Sequence, residues 1–237
     1  VDFEPVKAKS EGRRPEGLAP EIANLFPSSF VDSPLGKIPE GWEVKALDKI
    51  IQINPTTSVD RMRPVTFVDM KALPISGFSI MNFEKKIYSN GAKFRNGDIL
   101  IARITPCLEN GKTGMVDFLD DNESGFGSTE FIVLRGASSI QTPYIACLSR
   151  NNEFRAHCIK HMNGSSGRQR VSTSCFSDFY MPIPTKNSLL DLFHKVCVPI
   201  FKKITYNART TQSLIELRDI LLPPLTCGTI HPLFMES

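Results

Sequence analysis

Residues 186–222 carry apolar side chains every three or four positions, which keeps them on one side of a helix. The pattern predicts one long amphipathic helix, of about 55 Å at 1.5 Å per residue. Because a domain of this size is narrower than that, part of the apolar stripe should project and be covered by a partner. The alternative is that the helix wraps along its own domain. The predicted interface residues are Phe193, Ile200, Ile204, Leu214, Leu217 and Leu221.

Prolines should shape this helix. Pro199 removes a backbone donor and predicts a kink or a short break within it. Pro223 and Pro224, followed by Gly228, predict its end.

A different, two-residue period indicates strands before the helix. The predicted strands are 50–53, 65–68, 87–88, 99–104, 115–118, 130–135 and 179–184. Residues 143–162 predict two short helices separated near Asn151. The expected fold is α+β, with a twisted mixed sheet and short helices followed by a long helix of the coiled-coil type.

These patterns divide the chain into four parts. Residues 1–35, rich in charge, Pro and Ser, predict a linker with one helical turn around Pro20–Leu25. Residues 36–185 form the main domain, which opens with a Pro/Gly turn and Trp42, the only tryptophan. Residues 186–228 are the helix, and 229–237 are a tail. Because the chain opens with Val rather than Met, we expect a piece of a longer polypeptide.

Composition excludes some classes of protein. The 237 residues have no run of eighteen apolar residues and no signal peptide at the start, which predicts a soluble protein. The net charge of +3 is too small to indicate a partner. Six scattered cysteines without a CxxC pair fit a reducing compartment. A cluster of His157, Cys158 and His161 lacks a second ligand group with zinc spacing, so we expect no metal there.

Three loops rich in Gly, hydroxyl groups and bases interrupt the scaffold, at 103–114, 125–130 and 163–174. The third has two arginines and no acid, and its donors suit phosphates and base edges. The alternatives are solvated loops and, for Ser128–Glu130, a simple turn before a strand. The predicted nucleic-acid contacts are Arg103, Thr105, Lys112, Ser128, Thr129, Asn163, Ser165, Arg168, Gln169 and Arg170.

Known catalytic and nucleotide-binding motifs match this sequence poorly. GSSGRQR is neither a P-loop nor a dinucleotide fingerprint, and the segment 54–57 (NPTT) imitates poorly the motif with which amino-methyltransferases hold a flipped base. Two alternatives stay open. One is a metal-dependent nuclease built on Asp98, Glu109, Glu130 and Lys112. The other is a scaffold module that does not bind DNA.

Five segments, in this order along the chain, together resemble the specificity (S) subunit of type I restriction-modification enzymes. They are GKIPEGWE (36–43), GDILIARITPCLENGKTG (97–114), GFGSTEFIVLR (125–135), NGSSGRQRVS (163–172) and LIELRDILLPPLTCG (214–228). The resemblance covers about residues 1–230. It implies that the chain is one half of such a subunit, the C-terminal half, with one target-recognition domain and one conserved helix.

The resemblance implies a non-catalytic, DNA-reading role in the cytoplasm of a prokaryote. Such a subunit has two recognition domains, each reading half of a split sequence, held apart by two antiparallel helices. It recruits modification (M) and restriction (R) subunits, which use S-adenosylmethionine, ATP and Mg²⁺, so this chain should bind no cofactor. Its helix should pair with a second S half or with a copy of itself.

Overall fold

The computed structural model describes residues 3–137, 139–165 and 167–227. The strands are β1 (Phe30–Ser33), β2 (Gly36–Pro39), β3 (Trp42–Ala46), β4 (Ile51–Ile53), β5 (Val65–Val68), β6 (Glu84–Lys86), β7 (Ala92–Arg95), β8 (Ile99–Ala102), β9 (Thr113–Met115), β10 (Ser124–Gly127), β11 (Phe131–Gly136), β12 (Met162–Asn163), β13 (Arg170–Val171) and β14 (Tyr180–Pro184). The helices are α1 (Glu4–Ser10), α2 (Pro20–Ala23), α3 (Thr142–Ser149), α4 (Asn152–Lys160) and α5 (Ser188–Thr226). Short 3₁₀ helices span Leu47–Lys49, Met70–Ala72 and Thr173–Asp178.

Two four-stranded sheets form the centre of the domain. One has the order β4-β11-β8-β9 and is antiparallel throughout, with Ile132 opposite Ile101. The other has the order β6-β5-β10-β7, in which β10 runs parallel to β5. All four residues of β8 are buried, as are the first five of β11, because these strands lie inside the sheet and are covered on both faces. The predicted α+β fold with mixed strand directions is confirmed.

Helices α3 and α4 cover the first sheet and complete its core. Ile145 and Phe154 are buried in the same apolar cluster as Ile99 and Ile132. The side chain of Asn151 accepts a hydrogen bond from the backbone NH of Phe154 and caps α4. The prediction of two short helices separated near Asn151 is confirmed.

Strands β3 and β14 join the two ends of the domain. They pair antiparallel, and the NH of Thr185 donates to the carbonyl of Gly41 just beyond the pair. The pairing holds the start of α5 beside the N-terminal segment. There the ring of Phe3 meets that of Trp42 edge-on, with 5.5 Å between centroids.

The N-terminal segment is folded against the β3-β14 pair, which we call the clasp. Val6 and Ala8 of α1 are fully buried, and the ammonium of Lys9 donates to carbonyls of Ala23 and Phe26. Helix α2 is the turn predicted around Pro20–Leu25. The β1-β2 hairpin crosses residue 35, where a boundary was placed, and the four-part division of the chain stays a prediction.

Helix α5 has 39 residues and is unbroken. There is thus no break at Pro199, and the kink that was the other expectation there stays a prediction. The predicted end at Pro223 and Pro224 is wrong, because the helix continues to Thr226. The φ angle of proline is itself helical, so a proline can stay within a helix although it removes one backbone donor and its ring crowds the carbonyl four residues earlier. The carbonyl of Pro223 still accepts from the NH of Cys227, which satisfies one group of the last turn. Residues 229–237, the predicted tail, lie outside the described residues.

Most strand predictions are confirmed, but two are displaced. Residues 87–88 are not a strand. They lie in a loop, from which the ring of Tyr88 packs on Phe126. Strand β9 ends at Met115, before most of the predicted 115–118. The exposed polar strand β6 and the glycine-containing β10 were missed, since neither has the apolar alternation that indicates a strand. In the part of the chain that is described, no helix has the length and hydropathy needed to cross a membrane.

Candidate nucleic-acid interface

Three loops that are distant in sequence meet at one short segment after β8. The NH of Arg103 donates to the carbonyl of Glu130, and the NH of Val171 donates to the carbonyl of Arg103, both at 2.9 Å. The NH of Thr105 donates to the carbonyl of Gln169 at 3.0 Å. Backbone pairing therefore brings the predicted loops together. We call this the three-loop surface, formed by residues 103–105, 128–130, 163–165 and 167–170.

The third loop is the turn of a small hairpin. Strands β12 and β13 place Met162 opposite Val171 and Asn163 opposite Arg170. The first pair is buried and the second exposed, because successive side chains of a strand point to opposite faces. The turn includes Gly164 at φ +127°, a conformation that suits glycine. The polar side chains are thus directed to solvent.

Arg170 is held by an ion pair. Its Nε and Nη2 donate to the carboxylate of Glu130 at 2.9 and 2.7 Å. The hydrogen bond and the charge of Glu130 raise the pKa of Arg170. In contrast, Arg168 is exposed and has no ion pair within the described residues. Arg168 is therefore the free guanidinium of this loop, and Arg170 ties the loop to the second one.

The hydroxyl groups have different surroundings. Thr105 Oγ1 donates to the carbonyl of Gln169 at 3.0 Å. Ser128 Oγ accepts from the NH of Glu130 at 3.1 Å, as the turn alternative expects. Thr129, which lies between Ser128 and Glu130 in the turn, is exposed. Thr129 is thus the more accessible hydroxyl of the second loop.

Lys112 is not brought to the three-loop surface by its side chain. Its ammonium is partly buried and donates to the carbonyl of Met70 at 3.0 Å. The amine thereby supports the turn at Met70. Its predicted role in binding DNA remains untested.

A cleft of about 400 Å³ lies beside the three-loop surface. Its lining is Asn54, Pro55, Thr56, Thr57, Gly91, Ala92, Lys93, Arg103, Thr129, Phe131 and Val133, with no acid among these residues. Arg103 Nε is buried and has no hydrogen-bond partner within the described residues. A buried unpaired donor of this kind is costly unless a ligand accepts from it.

The sequence analysis missed most of this cleft. Asn54 stands at φ +46°, and its Oδ1 accepts from the NH of Val133 at 2.9 Å. The segment 54–57 is therefore a fixed turn at the mouth of the cleft rather than a methyltransferase motif. The Asn-Pro pair after a strand was the available signal, but nothing in the sequence connects it with Lys93 or Arg103.

A buried ion pair supports the cleft from below. The guanidinium of Arg135 binds both carboxylate oxygens of Asp98 at 2.7 and 2.8 Å, and Asp98 is fully buried. Arg135 Nη2 also donates to Thr57 Oγ1 at 2.9 Å. Thr57 and the turn that it ends are thus held in place by a charge pair in the core.

The same contacts argue against the nuclease alternative. Asp98 is neutralised by Arg135, Glu130 is bound by Arg170, and Glu109 is exposed in its loop. No group of three or more His, Cys, Asp or Glu that could hold a metal ion occurs among the described residues. The four residues proposed for that site, including Lys112, are used for structural contacts or lie apart.

The histidine-cysteine cluster on α4 also has structural contacts. His157 Nε2 is 2.8 Å from the carbonyl oxygen of Cys175, and His161 Nδ1 is 2.8 Å from that of His157. Cys158 is fully buried, and its contact with the Cys175 thiol, with burial, raises its pKa. These residues pack α4 on the segment after β13.

Helix α5 has two faces with different surroundings. Leu190, Phe201 and Thr205 are buried against the domain, where Thr205 Oγ1 donates to Asp117 at 2.5 Å. Of the predicted interface residues, Phe193 is half-buried beside Tyr144, with 6.0 Å between ring centroids. The other five are exposed: Ile200, Ile204, Leu214, Leu217 and Leu221. The first half of α5 thus lies on its own domain, and beyond Arg209 its apolar side chains are uncovered.

Comparisons with known proteins agree on one family. Residues 39–218 match the model of the type I restriction modification DNA specificity domain. The specificity subunit of type I restriction enzyme EcoAI from Escherichia coli is 34% identical over 154 residues, which cover 62% of this chain and 26% of that protein. The HindI specificity subunit from Haemophilus influenzae is 24% identical over 277 residues, which cover 97% of this chain and 59% of that protein.

A solved structure shares the fold. The type I restriction-modification S subunit from M. genitalium superposes with a TM-score of 0.50 at 13% identity, covering 77% of this chain and 45% of that one. The chain therefore spans less than two thirds of each of these three proteins.

Proposed function

The chain belongs to the type I restriction modification DNA specificity family, and on that premise we propose that it reads one half of a bipartite DNA target. The three-loop surface and the adjoining cleft are the reading face. The chain does no chemistry of its own. It acts in the prokaryotic cytoplasm beside M and R subunits, which use S-adenosylmethionine, ATP and Mg²⁺.

The observation that carries this proposal is the convergence of the three loops on Arg103. Backbone hydrogen bonds, rather than flexible side chains, hold the loops together. The resulting face presents exposed Arg168 and Thr129 next to a cleft with Lys93 and the unpaired Nε of Arg103. Preorganised donors are suited to the acceptors of the phosphates and the major groove, the cleft has no acid in its lining, and the carboxylate of Glu130 is already paired with Arg170.

Different residues serve different parts of recognition. An arginine that binds the O6 and N7 of guanine discriminates by about 1 to 3 kcal/mol, and Gln can do the same for adenine. Arg168 is free for such a contact, and Gln169 is adjacent. Arg170 contributes by fixing the loop, since its donors already bind Glu130. Lys93 at the cleft suits a phosphate, which adds affinity without sequence preference.

Helix α5 serves assembly in this proposal. Its uncovered stripe is available to the helix of a second S half, or to a copy of itself about a two-fold axis. The M and R subunits dock on the assembled helices. The hydrogen bonds of Asp117 with Thr205 and Arg209 fix the helix to the domain. The helix is then a spacer that holds two reading faces at a set distance.

Photo-crosslinking tests where the DNA lies. A crosslinking amino acid is placed at Thr129, at Ser165 or, as control, at Leu35, all on exposed turns. The chain is reconstituted with M subunits and irradiated with duplex DNA. We expect protein-DNA crosslinks at Thr129 and Ser165 and none above background at Leu35. Crosslinks from Leu35 alone, or equal yields from all three, would refute this reading face.

A further inference from the structure

The loop between β4 and β5 exposes an apolar side chain at its tip. Met62 is 87% exposed, between Arg61 and Arg63. The loop is not loose below this tip, because Val59 is buried in a cluster with Val65 and Phe126. We call residues 60–62 the Met62 tip.

The backbone of the tip is ordered by a local turn. The NH of Met62 donates to Asp60 Oδ1 at 2.8 Å. Asp60 therefore shapes the turn. At the other end, the loop begins at the fixed segment 54–57 of the cleft. A loop anchored by Val59 and by a local turn thus exposes an unbranched apolar side chain.

Cations connect the tip with the cleft. The guanidinium carbon of Arg61 lies 5.6 Å from the ring centroid of Tyr88, and the ammonium of Lys93 lies 4.8 Å from the same centroid. Lys93 in turn lines the cleft with Arg103. Within the described residues neither Arg61 nor Lys93 is in an ion pair, so their positive charge is available to a polyanion.

Arg63 lies in a more acidic environment than Arg61. It lines a separate hollow with Asp60, Asp120, Asp121 and Glu123, of which Glu123 is paired with Lys85. A DNA backbone would be repelled there and attracted on the side of Arg61. Arg61 and Arg63 therefore differ in surroundings although only Met62 separates them.

We propose that the Met62 tip is a second DNA contact, in which Met62 packs as an apolar wedge against a base step and Arg61 binds the adjoining phosphates. This rests on the proposed function and extends its surface along Arg103, Lys93, Tyr88 and Arg61. Apolar side chains, including Met, are used in this way to open base steps from the minor groove. Burial of an exposed apolar side chain favours binding, and each phosphate contact releases counterions.

Three single variants test the proposal: Met62→Ala, Arg61→Ala and, as matched control, Arg63→Ala. Each is reconstituted with M subunits and titrated with the duplex that the wild-type complex enriches from a random library. Met62→Ala should weaken binding about tenfold, the loss expected for one buried side chain. Arg61→Ala should weaken binding and lower the salt slope by about 1, whereas Arg63→Ala should leave the slope unchanged.

A spectroscopic readout separates a wedge from a general loss of affinity. The duplex carries 2-aminopurine at successive positions, and its fluorescence rises where a base is unstacked. With the wild type we expect one position to brighten on binding, and with Met62→Ala we expect that increase to be lost at saturating protein. Since the side chain is exposed, the variant should unfold at the denaturant concentration of the wild type.

The outcomes separate this inference from the proposed function. If a sequence is enriched and Arg168→Ala weakens its binding, but Met62→Ala binds like the wild type, only the inference is wrong. If Met62→Ala prevents assembly with M subunits, the tip contacts protein and the inference is again wrong. If the assembled wild-type complex enriches no sequence, the proposed function fails and the inference with it.

Discussion

At the scale of single residues, Asp98 and Arg135 decide whether the cleft keeps its shape. Both are almost fully buried, with side-chain exposures of 0% and 10%. Removing one partner of such a pair leaves an unpaired charge in the core, and this commonly costs more than the pair contributes. Because Arg135 also binds Thr57, the cost extends to the turn at the cleft.

The prediction is that Asp98→Ala lowers the free energy of unfolding by about 3 to 5 kcal/mol. Asp219→Ala is the control, since Asp219 pairs with Arg218 on the exposed part of α5 and should cost less than about 1 kcal/mol. Urea denaturation followed by circular dichroism measures both. Equal and small losses would show that the buried pair does not support the fold.

Glu123 should make the stability of the fold depend on pH in the acid range. Partial burial alone would raise its pKa, but hydrogen bonds from Lys85 (2.6 Å), Thr66 (2.8 Å) and the NH of Asp120 (3.2 Å) prevail and lower the pKa to about 2. A carboxyl group whose pKa is lower in the folded state than in the unfolded state stabilises the folded state. This contribution is complete at pH values above the ordinary pKa of 4.5. This contribution should be lost as the pH falls from 4.5 towards 2.

Glu123→Gln should therefore be less stable than the wild type above pH 4.5, and the difference should shrink as the pH approaches 2. Urea titrations of both proteins over this range measure it. A difference independent of pH would show that the carboxylate is not preferentially ionised in the fold.

At the scale of elements, the hairpin loop 163–170 predicts a difference between two exposed arginines. Arg168→Ala should relax discrimination at one base pair by about 1 to 3 kcal/mol, because its guanidinium is free. Arg14, exposed in the N-terminal segment, is the matched control and its replacement by Ala should change nothing. Competition titrations with single-base variants of the target measure both. Loss of affinity without loss of discrimination would make Arg168 a phosphate contact only.

The exposed half of α5 predicts self-association of the isolated chain. The double variant with Leu214→Asp and Leu217→Asp should be a monomer, because both side chains lie on the uncovered stripe at 60% and 51% exposure. Gln212→Asp, on another side of the helix, should leave the dimer intact. Sedimentation velocity at tens of micromolar gives the masses. A wild-type monomer would remove the homodimer prediction.

These elements also show how far the sequence could lead. The long helix was predictable because Leu214, Leu217 and Leu221 repeat with helical spacing, and the two short helices because a capping Asn separates them. The meeting of Thr105 with Gln169 was not, because it depends on backbone pairing across 64 positions. Lys112 was predicted to contact DNA because it is a positively charged residue in a loop, but its amine donates to the carbonyl of Met70. Asn54 and Lys93 were missed, since only the folded sheets bring their segments together.

At the scale of the whole molecule, the proposed function assigns DNA reading and assembly to different parts of the fold. The two sheets support the three-loop surface and the cleft, while the β3-β14 clasp and Asp117 fix the direction in which α5 leaves the domain. A target read by two such faces should consist of two short half-sites with a fixed gap. The gap is then a property of the helices, and the bases are a property of the loops.

The most direct test of this account is selection from a random-duplex library by the chain reconstituted with M subunits, followed by sequencing. We expect enrichment of a short half-site, singly or as a symmetric pair at constant separation, and relaxed selection at one of its base pairs with Arg168→Ala. A complex that assembles through α5 but enriches no sequence would contradict the account, because the domain would then dock without reading DNA.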